Sequence, residues 1–407
     1  MDSLQFSVWN SLLEQCRLKF SRLENIFPKL NNNSNKEWSE LQTDVSELIL
    51  KKLALVEIFR FRAVCSSWKI AAESYISSQS YNPSRKTPWL MLGMDKHNDP
   101  FYLFNLTESK CYRVRSIFKF YYRRFWCLGS SDGWLLLFQE TGETHLVNPF
   151  SGAEIQLPWM STLVKYENMM SHDDVGGKAV FSSDPCRSNN FSVAFMYSDH
   201  KWPHRLAFCD CGDESWRLTS MKHQCYADVI CYKDNVYAIS PTRAVVDIWD
   251  ILSQFPKKVV DYVTPRVSRS LLDQWGWLPL RNHVQIICQM TTLVKSMGEI
   301  LVVDRIMVAN NFWSTIGFSV SKLDCGGERN RTLPVQTLPD LALFVGPLSA
   351  ASVSTQDCPE LEPNSIYFVD HDCLGVYDLK QRKINRNRHA MWKNIGYSTA
   401  WVIPNPW

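Results

Sequence analysis

The sequence predicts a multidomain chain, a small all-α domain followed by a large all-β propeller of about six or seven blades. Three observations point that way. At 407 residues the chain is longer than one ordinary core takes up. Apolar residues recur at steps of three and four up to about residue 80, and at steps of two beyond it. The second part is also a succession of short apolar runs behind turn residues, too many for a single twisted open sheet. Radial repetition in blades of about 40–50 residues disposes of so many sheet edges. The runs are irregularly spaced, which leaves the blade count at six or seven.

Composition narrows the classes further. Hydrophobic residues make up 45%, charged residues 21% and aromatics 13%, with 16 Trp and only 16 Gly. So much aromatic area has to be buried, which excludes a collagen, a glycine linker and a disordered chain. Lys plus Arg number 44 against 41 for Asp plus Glu, a net +3, so nucleic acid is an unlikely partner for the surface as a whole. Met1 to Leu13 has no basic region followed by an apolar core and a small-residue cleavage site, and no run of about 18 apolar residues occurs. The expected location is therefore the nucleus and/or cytosol, with no membrane contact. The 13 cysteines, odd in number and without a C-x-x-C pair, are expected to be reduced thiols there. The sequons at Asn32, Asn105, Asn190 and Asn330 carry no meaning in that compartment.

Along the chain, residues 1–35 are read as an amphipathic helix and a linker. Trp9, Leu12, Leu13, Cys16, Phe20, Leu23 and Phe27 form the stripe, and Pro28 with the Asn31–Asn35 run ends it. Residues 36–80 are the small helical domain. Asp44 is expected to cap its first helix, with Glu47 completing a capping box. Leu41, Val45, Leu48, Ile49 and Leu53 follow at helical spacing. Leu55, Ile58 and Phe59 mark a second segment, and Val64, Trp68, Ala71, Ala72 and Tyr75 a third. About 40 residues cannot bury all of this alone, so part of it is expected to meet a partner. Ser80 to Pro88 is read as the boundary, and residues 86–407 as the β domain. There Ala153, Ile155 and Leu157 alternate with polar residues. Trp134 to Phe138, Val236 to Ile239 and Ile300 to Val303 each follow a turn, and Ile366 to Val369 is a further apolar run.

Trp38–Ser39–Glu40–Leu41–Gln42–Thr43–Asp44 and Arg60–Phe61–Arg62–Ala63–Val64–Cys65–Ser66–Ser67–Trp68–Lys69 together closely resemble an F-box. The remainder resembles the plant KIB-type β-propeller domain often found behind one. The phrases that carry this are Leu128–Leu135, Leu146–Gly152, Leu206–Cys209 leading to Gly212–Trp216, Gly298–Val303, Gly317–Asp324 and Asn364–Phe368. The resemblance implies a substrate-recognition subunit of a cullin-type ubiquitin ligase. Such a subunit needs no cofactor and no catalytic residue. Leu41, Gln42, Val45, Ile49, Leu53, Val64 and Trp68 would meet a Skp-type adaptor and through it a cullin, and the propeller would hold a protein target of unknown identity. The chain departs from the family at Gln42, usually Pro, and at Ser46, usually Leu. Both are expected on the adaptor-facing surface, so that Gln42→Pro with Ser46→Leu would tighten binding. The alternative is a propeller binding module or enzyme whose F-box-like segment packs internally.

Other motifs are weighed against that reading. Gly129–Ser130–Ser131–Asp132–Gly133 fits G-x-S-x-G, but a β-type run follows where the hydrolase elbow needs a helix. His200, His204, Cys209 and Cys211 are zinc-ligand types without the usual C-x₂₋₄-C pair. Gly176–Gly177–Lys178 lacks the upstream glycine of a phosphate loop, and Trp249–Asp250 lacks the Gly-His partner of a WD repeat. Arg113, Arg115, Lys119, Arg123 and Arg124 interleave with Tyr112, Phe118, Phe120, Tyr121 and Tyr122, which suits stacked bases on a single strand. A strand pair with a solvated basic face, or a surface for an acidic substrate, accounts for the same pattern.

Overall fold

The computed structural model describes residues 41–78, 81, 87–92, 102–114, 125–139, 141–163, 177–185, 190–199, 202–219, 225–251, 253, 255–264, 287–309, 313–326, 330–370, 373–387 and 399–406. The helix expected over residues 4 to 27 and the Asn-rich linker lie outside these. The chain divides into two compact units, Met1–Asn82 and Pro83–Trp407.

In the first unit, α1 (Thr43–Leu50), α2 (Leu55–Arg62) and α3 (Ser66–Ser77) enclose a small core. On α1, Ser46, Ile49 and Leu50 point inward at steps of three and four. Ile58 and Phe61 join them from α2, and Trp68, Ala72, Tyr75 and Ile76 from α3. Phe61 and Trp68 stack with ring centroids 4.2 Å apart, which joins α2 to α3. Asp44 does not cap α1. It lies inside the first turn, where it complements the helix dipole, while Gln42 occupies the cap without a side-chain bond. Glu47 pairs with Lys51, one turn further on, at 2.9 Å. The reciprocal contact is found one helix later, where Glu57 Oε2 accepts the Ala54 N–H at 3.1 Å.

The second unit is a ring of six sheets, the lower of the two expected counts. The first blade contains β1 (Trp89–Leu92), β2 (Tyr102–Asn105) and β3 (Lys110–Arg113). The second contains β4 (Phe125–Ser131), β5 (Trp134–Gln139), β6 (Thr144–Val147) and β7 (Glu154–Leu157). The third contains β8 (Gly177–Phe181), β9 (Ser192–Asp199), β10 (Trp202–Asp210) and β11 (Arg217–Leu218). The fourth is built from β12 (Asp228–Tyr232), β13 (Asn235–Ser240), β14 (Val245–Trp249) and β15 (Lys258–Asp261). The fifth has β16 (Ile287–Ser296), β17 (Glu299–Ala309), β18 (Trp313–Leu323) and β19 (Thr332–Val335).

The sixth blade is irregular. It holds β20 (Leu341–Val345), β21 (Ala350–Ser354), β22 (Ser365–Asp370), β23 (Cys373–Asp378) and β24 (Lys383–Asn387) in the order β21-β20-β22-β23-β24. Its β20–β22 pair is parallel, whereas the other paired neighbours of the ring are antiparallel. Finally β25 (Ala400–Val402) pairs with β1, Leu90 opposite Trp401, so the first blade draws its innermost strand from the far end of the chain. The inner strands β25, β4, β8, β12, β16 and β21 stand side by side in that order and close the ring.

Between the blades the core is aromatic. Phe344 meets Trp401 edge-on at 4.9 Å across the sixth and first blades, and Trp249 packs with Phe208 across the fourth and third. Buried polar groups are paired as well. Tyr226 donates to Asp247 at 2.5 Å, Tyr262 donates to Asp304 at 2.5 Å, and Lys178 meets Asp228 at 2.7 Å. Arg305 of β17 bonds Asp370 of β22 at 2.6 Å and the Val369 carbonyl at 2.8 Å, joining the fifth and sixth blades.

Candidate functional site

The seven side chains expected to meet an adaptor fall into two groups. Gln42 is exposed, and Leu41, Val45, Leu53 and Val64 are partly covered. Ile49 and Trp68 are buried in the three-helix core, so they hold the helices in place. Helical spacing explains the split: Ser46, Ile49 and Leu50 form the inward stripe, and Val45 and Leu48, three residues apart, lie beside it on the outer face. Ser46 is only 2% exposed, which corrects the expectation that it lies on the adaptor-facing surface. A leucine there would overfill the interface of α1 with α3, at a cost of about 1–3 kcal/mol.

Two exposed residues were not among those expected to meet the adaptor, although Leu48 stood in the helical pattern. Leu48 is 51% exposed and Ile70 67% exposed, the large uncovered apolar side chains of this unit among the described residues. The signal for Ile70 was its place beside Trp68: on a helix, neighbours two apart face different ways, so a core Trp68 turns Ile70 outward.

Gln42 carries a prediction. Its backbone sits at φ −58°, already the proline value, and its position ahead of α1 is outside the helix interior. Gln42→Pro is therefore expected to stabilise the helical unit by about 0.4–1 kcal/mol by restricting the unfolded chain. Chemical denaturation followed by helical circular dichroism measures it, and Ser46→Leu alone should move the midpoint the other way.

In the propeller, three inner hairpins turn on two residues at positive φ: Asp132–Gly133, Lys233–Asp234 and Met297–Gly298. They share one end of the ring, since Lys295 reaches Asp132 at 3.5 Å and the Tyr232 hydroxyl lies near Gly298. The second and fifth blades are three steps apart either way, so the Lys295–Asp132 pair bridges the ring. Below it, the Leu348 carbonyl of the sixth blade accepts the Ser130 N–H of the second at 3.3 Å. Asp228 accepts from Lys178 and from the Leu293 N–H at 2.7 Å, uniting the third, fourth and fifth blades. These contacts tie blades together around the centre of the ring.

The G-x-S-x-G phrase lies at this end and forms a strand–turn–strand, with the Ser131 hydroxyl donating to Asp132 at 2.9 Å. That geometry does not present a nucleophile on a helix. Gly133 is needed for closure: Asn405 Nδ2 donates to the Asp132 carbonyl at 3.0 Å and to Asp184 at 3.1 Å, and Trp134 Nε1 donates to Asp184 at 3.1 Å.

Of the zinc-type residues, His204 Nδ1 lies 2.9 Å from the Tyr226 carbonyl, Cys209 is buried with its thiol pKa pushed up by burial, and Cys211 is exposed. His200 lies outside the described residues. Lys178 and Trp249 belong to strands, the first in its ion pair and the second in the core. Most of the basic aromatic stretch, residues 115–124, is outside the described residues. None of the described helices is long and apolar enough to cross a membrane.

Three short helices around a stacked Phe–Trp pair are joined in one chain to a six-blade propeller. The F-box domain model matches residues 38–77, and that of the KIB1-4 beta-propeller matches residues 103–378. The chain belongs to the KIB1-4 beta-propeller family. The ring itself extends beyond the matched stretch, to β1 on one side and β25 on the other.

The chain is 31% identical over 209 residues to the F-box protein KIB3 of Arabidopsis thaliana, covering 48% of this chain and 44% of that protein. It is 24% identical over 408 residues to F-box only protein 7 of the same plant, covering 91% and 95%. Among solved structures it is similar to TolB from Acinetobacter baumannii, at 10% identity and a TM-score of 0.39, covering 82% of this chain and 70% of that one.

Proposed function

We propose that this chain is the substrate-recognition subunit of an SCF-type cullin-RING ubiquitin ligase. The helical unit would bind a Skp-type adaptor, and through it a cullin, while the propeller would bind the protein to be ubiquitinated. The observation that carries this is the uncovered apolar surface of the helical unit, Leu48 and Ile70, in a segment matching the F-box. A free domain does not gain from leaving such side chains in water, and a partner groove does. Leu41, Gln42, Val45, Leu53 and Val64 complete the proposed contact. Catalysis would then be a matter of proximity: the receptor holds target and charged conjugating enzyme together and raises their effective concentration. No acid, base or nucleophile of this chain takes part. Nucleus and cytosol are the compartments that suit this role.

Leu48→Asp combined with Ile70→Asp tests the reading. Covering one leucine-sized side chain is worth about 1.5–3 kcal/mol, so losing two should weaken an adaptor complex roughly a hundredfold or more. Both positions are exposed, so the helical circular dichroism should not change. Co-purification with a recombinant Skp-type adaptor is the measurement, and unchanged recovery of the adaptor by the double variant would overturn the proposal.

A further inference from the structure

We propose that the outer edge of the sixth blade, β24, takes up an acidic, extended peptide segment as an added strand. Among the described residues β24 pairs with β23 on one side and with no strand on the other. An outermost strand presents alternate N–H and C=O groups to solvent, a ready template for another chain. Lys383, Asn385, Arg386 and Asn387 are exposed along it, and Ile384 alone is half-buried.

Charge selects the occupant. Residues 380–386 hold four cations, Lys380, Arg382, Lys383 and Arg386, and no carboxylate. The nearest carboxylate in sequence, Asp378, is engaged in the turn, where its Oδ1 accepts the N–H groups of Lys380 and Gln381 at 2.8 Å each. Arg386 bonds the Thr315 carbonyl and lies 3.5 Å from Asp370, which anchors the strand on the fifth blade while its outer edge has no partner strand among the described residues. A second copy of this strand would be repelled by the like charge, whereas an acidic strand gains both the backbone ladder and the ion pairs.

The other outer edges are less suited. The backbone of β15 is engaged by the next blade, with Asp261 N–H on the Asn330 carbonyl at 3.0 Å and Val263 N–H on Thr332 Oγ1 at 2.9 Å. On β11, Arg217 is committed to Asp210 and Asp213. β3 carries Lys110 and Arg113, but the carboxylate of Glu108 lies in the turn beside them and accepts from Tyr112 of the same strand. The inference goes beyond the ligase reading and does not rest on it, because the assay contains no adaptor and failure of one leaves the other standing.

The test titrates the full chain against a fluorescein-labelled peptide alternating glutamate with threonine and valine, read by fluorescence anisotropy. Saturable binding is expected. Lys380→Glu with Lys383→Glu should weaken it about tenfold, and Lys110→Glu with Arg113→Glu should leave it unchanged. A peptide of equal charge with proline at alternate positions cannot complete the ladder and should also bind at least about tenfold more weakly. This last comparison uses the unmodified protein, so it stands even if a variant misfolds. No saturable binding, equal binding of the proline peptide, or equal loss in the β3 variant would each sink the proposal. So would tighter binding of an oligothymidylate of similar charge, which would mark the edge as a nucleic-acid surface.

Discussion

Replacing Asp370 with leucine is expected to lower the unfolding free energy of the propeller by about 3–5 kcal/mol. The carboxylate is buried and serves four groups: Arg305 at 2.6 Å, the Thr315 hydroxyl at 2.6 Å, the Thr315 N–H at 3.3 Å and Arg386 at 3.5 Å. Arg305 is equally buried, and burial pushes its pKa down, against the opposing pull of Asp370. Without the carboxylate, a guanidinium is left in the seam between the fifth and sixth blades with no counter-charge. The cost is the stranded charge, more than the lost attraction, and this makes a second variant decisive. Arg305→Met combined with Asp370→Leu should recover most of the loss, because both charges leave together. Urea denaturation followed by tryptophan fluorescence measures the series. A double variant no more stable than Asp370→Leu would show that the network acts through its hydrogen bonds and not its charges.

Gly133→Ala is expected to cost about 3 kcal/mol, and Gly212→Ala about 1 kcal/mol, though the two glycines have nearly the same φ. Gly133 lies at φ +88° and Gly212 at φ +89°, so an added methyl strains both alike. The difference is what surrounds them. A Cβ at Gly133 would stand 2.3 Å from Asn405 Cβ and 2.6 Å from the Ile403 carbonyl, whereas at Gly212 nothing lies within 4 Å. The first methyl therefore also dislodges the segment that follows β25. The difference between the two midpoints isolates crowding from strain, and equal losses would rule out crowding at the closure.

These outcomes also mark how far the sequence could be read. The change of period near residue 80 and the Ser131–Asp132–Gly133 turn were legible because each is a local property: side-chain spacing, and a turn that requires positive φ. The blade count was not, because β21 enters the sixth blade ahead of β20 and β25 reaches back to β1 over about 300 residues. No local pattern encodes such pairings. At the helical unit, the segment was legible from its closing Arg60–Trp68 phrase, but the direction of each side chain was not. Ser46 is polar yet faces inward, Ile70 is apolar yet faces outward, and only the packing of α1 on α3 decides both. Asp44 fits a capping position by residue type, and the helix begins two residues before it could act as one.

The strand that completes the first blade has a consequence for biosynthesis. β1 leaves the ribosome early, while its partner Ala400–Val402 is made some 310 residues later. At about 5–20 residues per second, the interval is roughly 15–60 s. Throughout that time the inner edge of β1, with Trp89, Leu90 and Met91, has no partner strand, and the five later blades can stack only as an open arc. An open arc leaves the β1 edge unpaired and the apolar faces of its two end blades uncovered, the form of chain that nascent-chain chaperones capture and that aggregates when they do not. A ribosome that stops after the fifth or sixth blade but short of residue 400 therefore releases a chain with most of its blades formed and none of its closure, and such a product is expected to be cleared as misfolded protein.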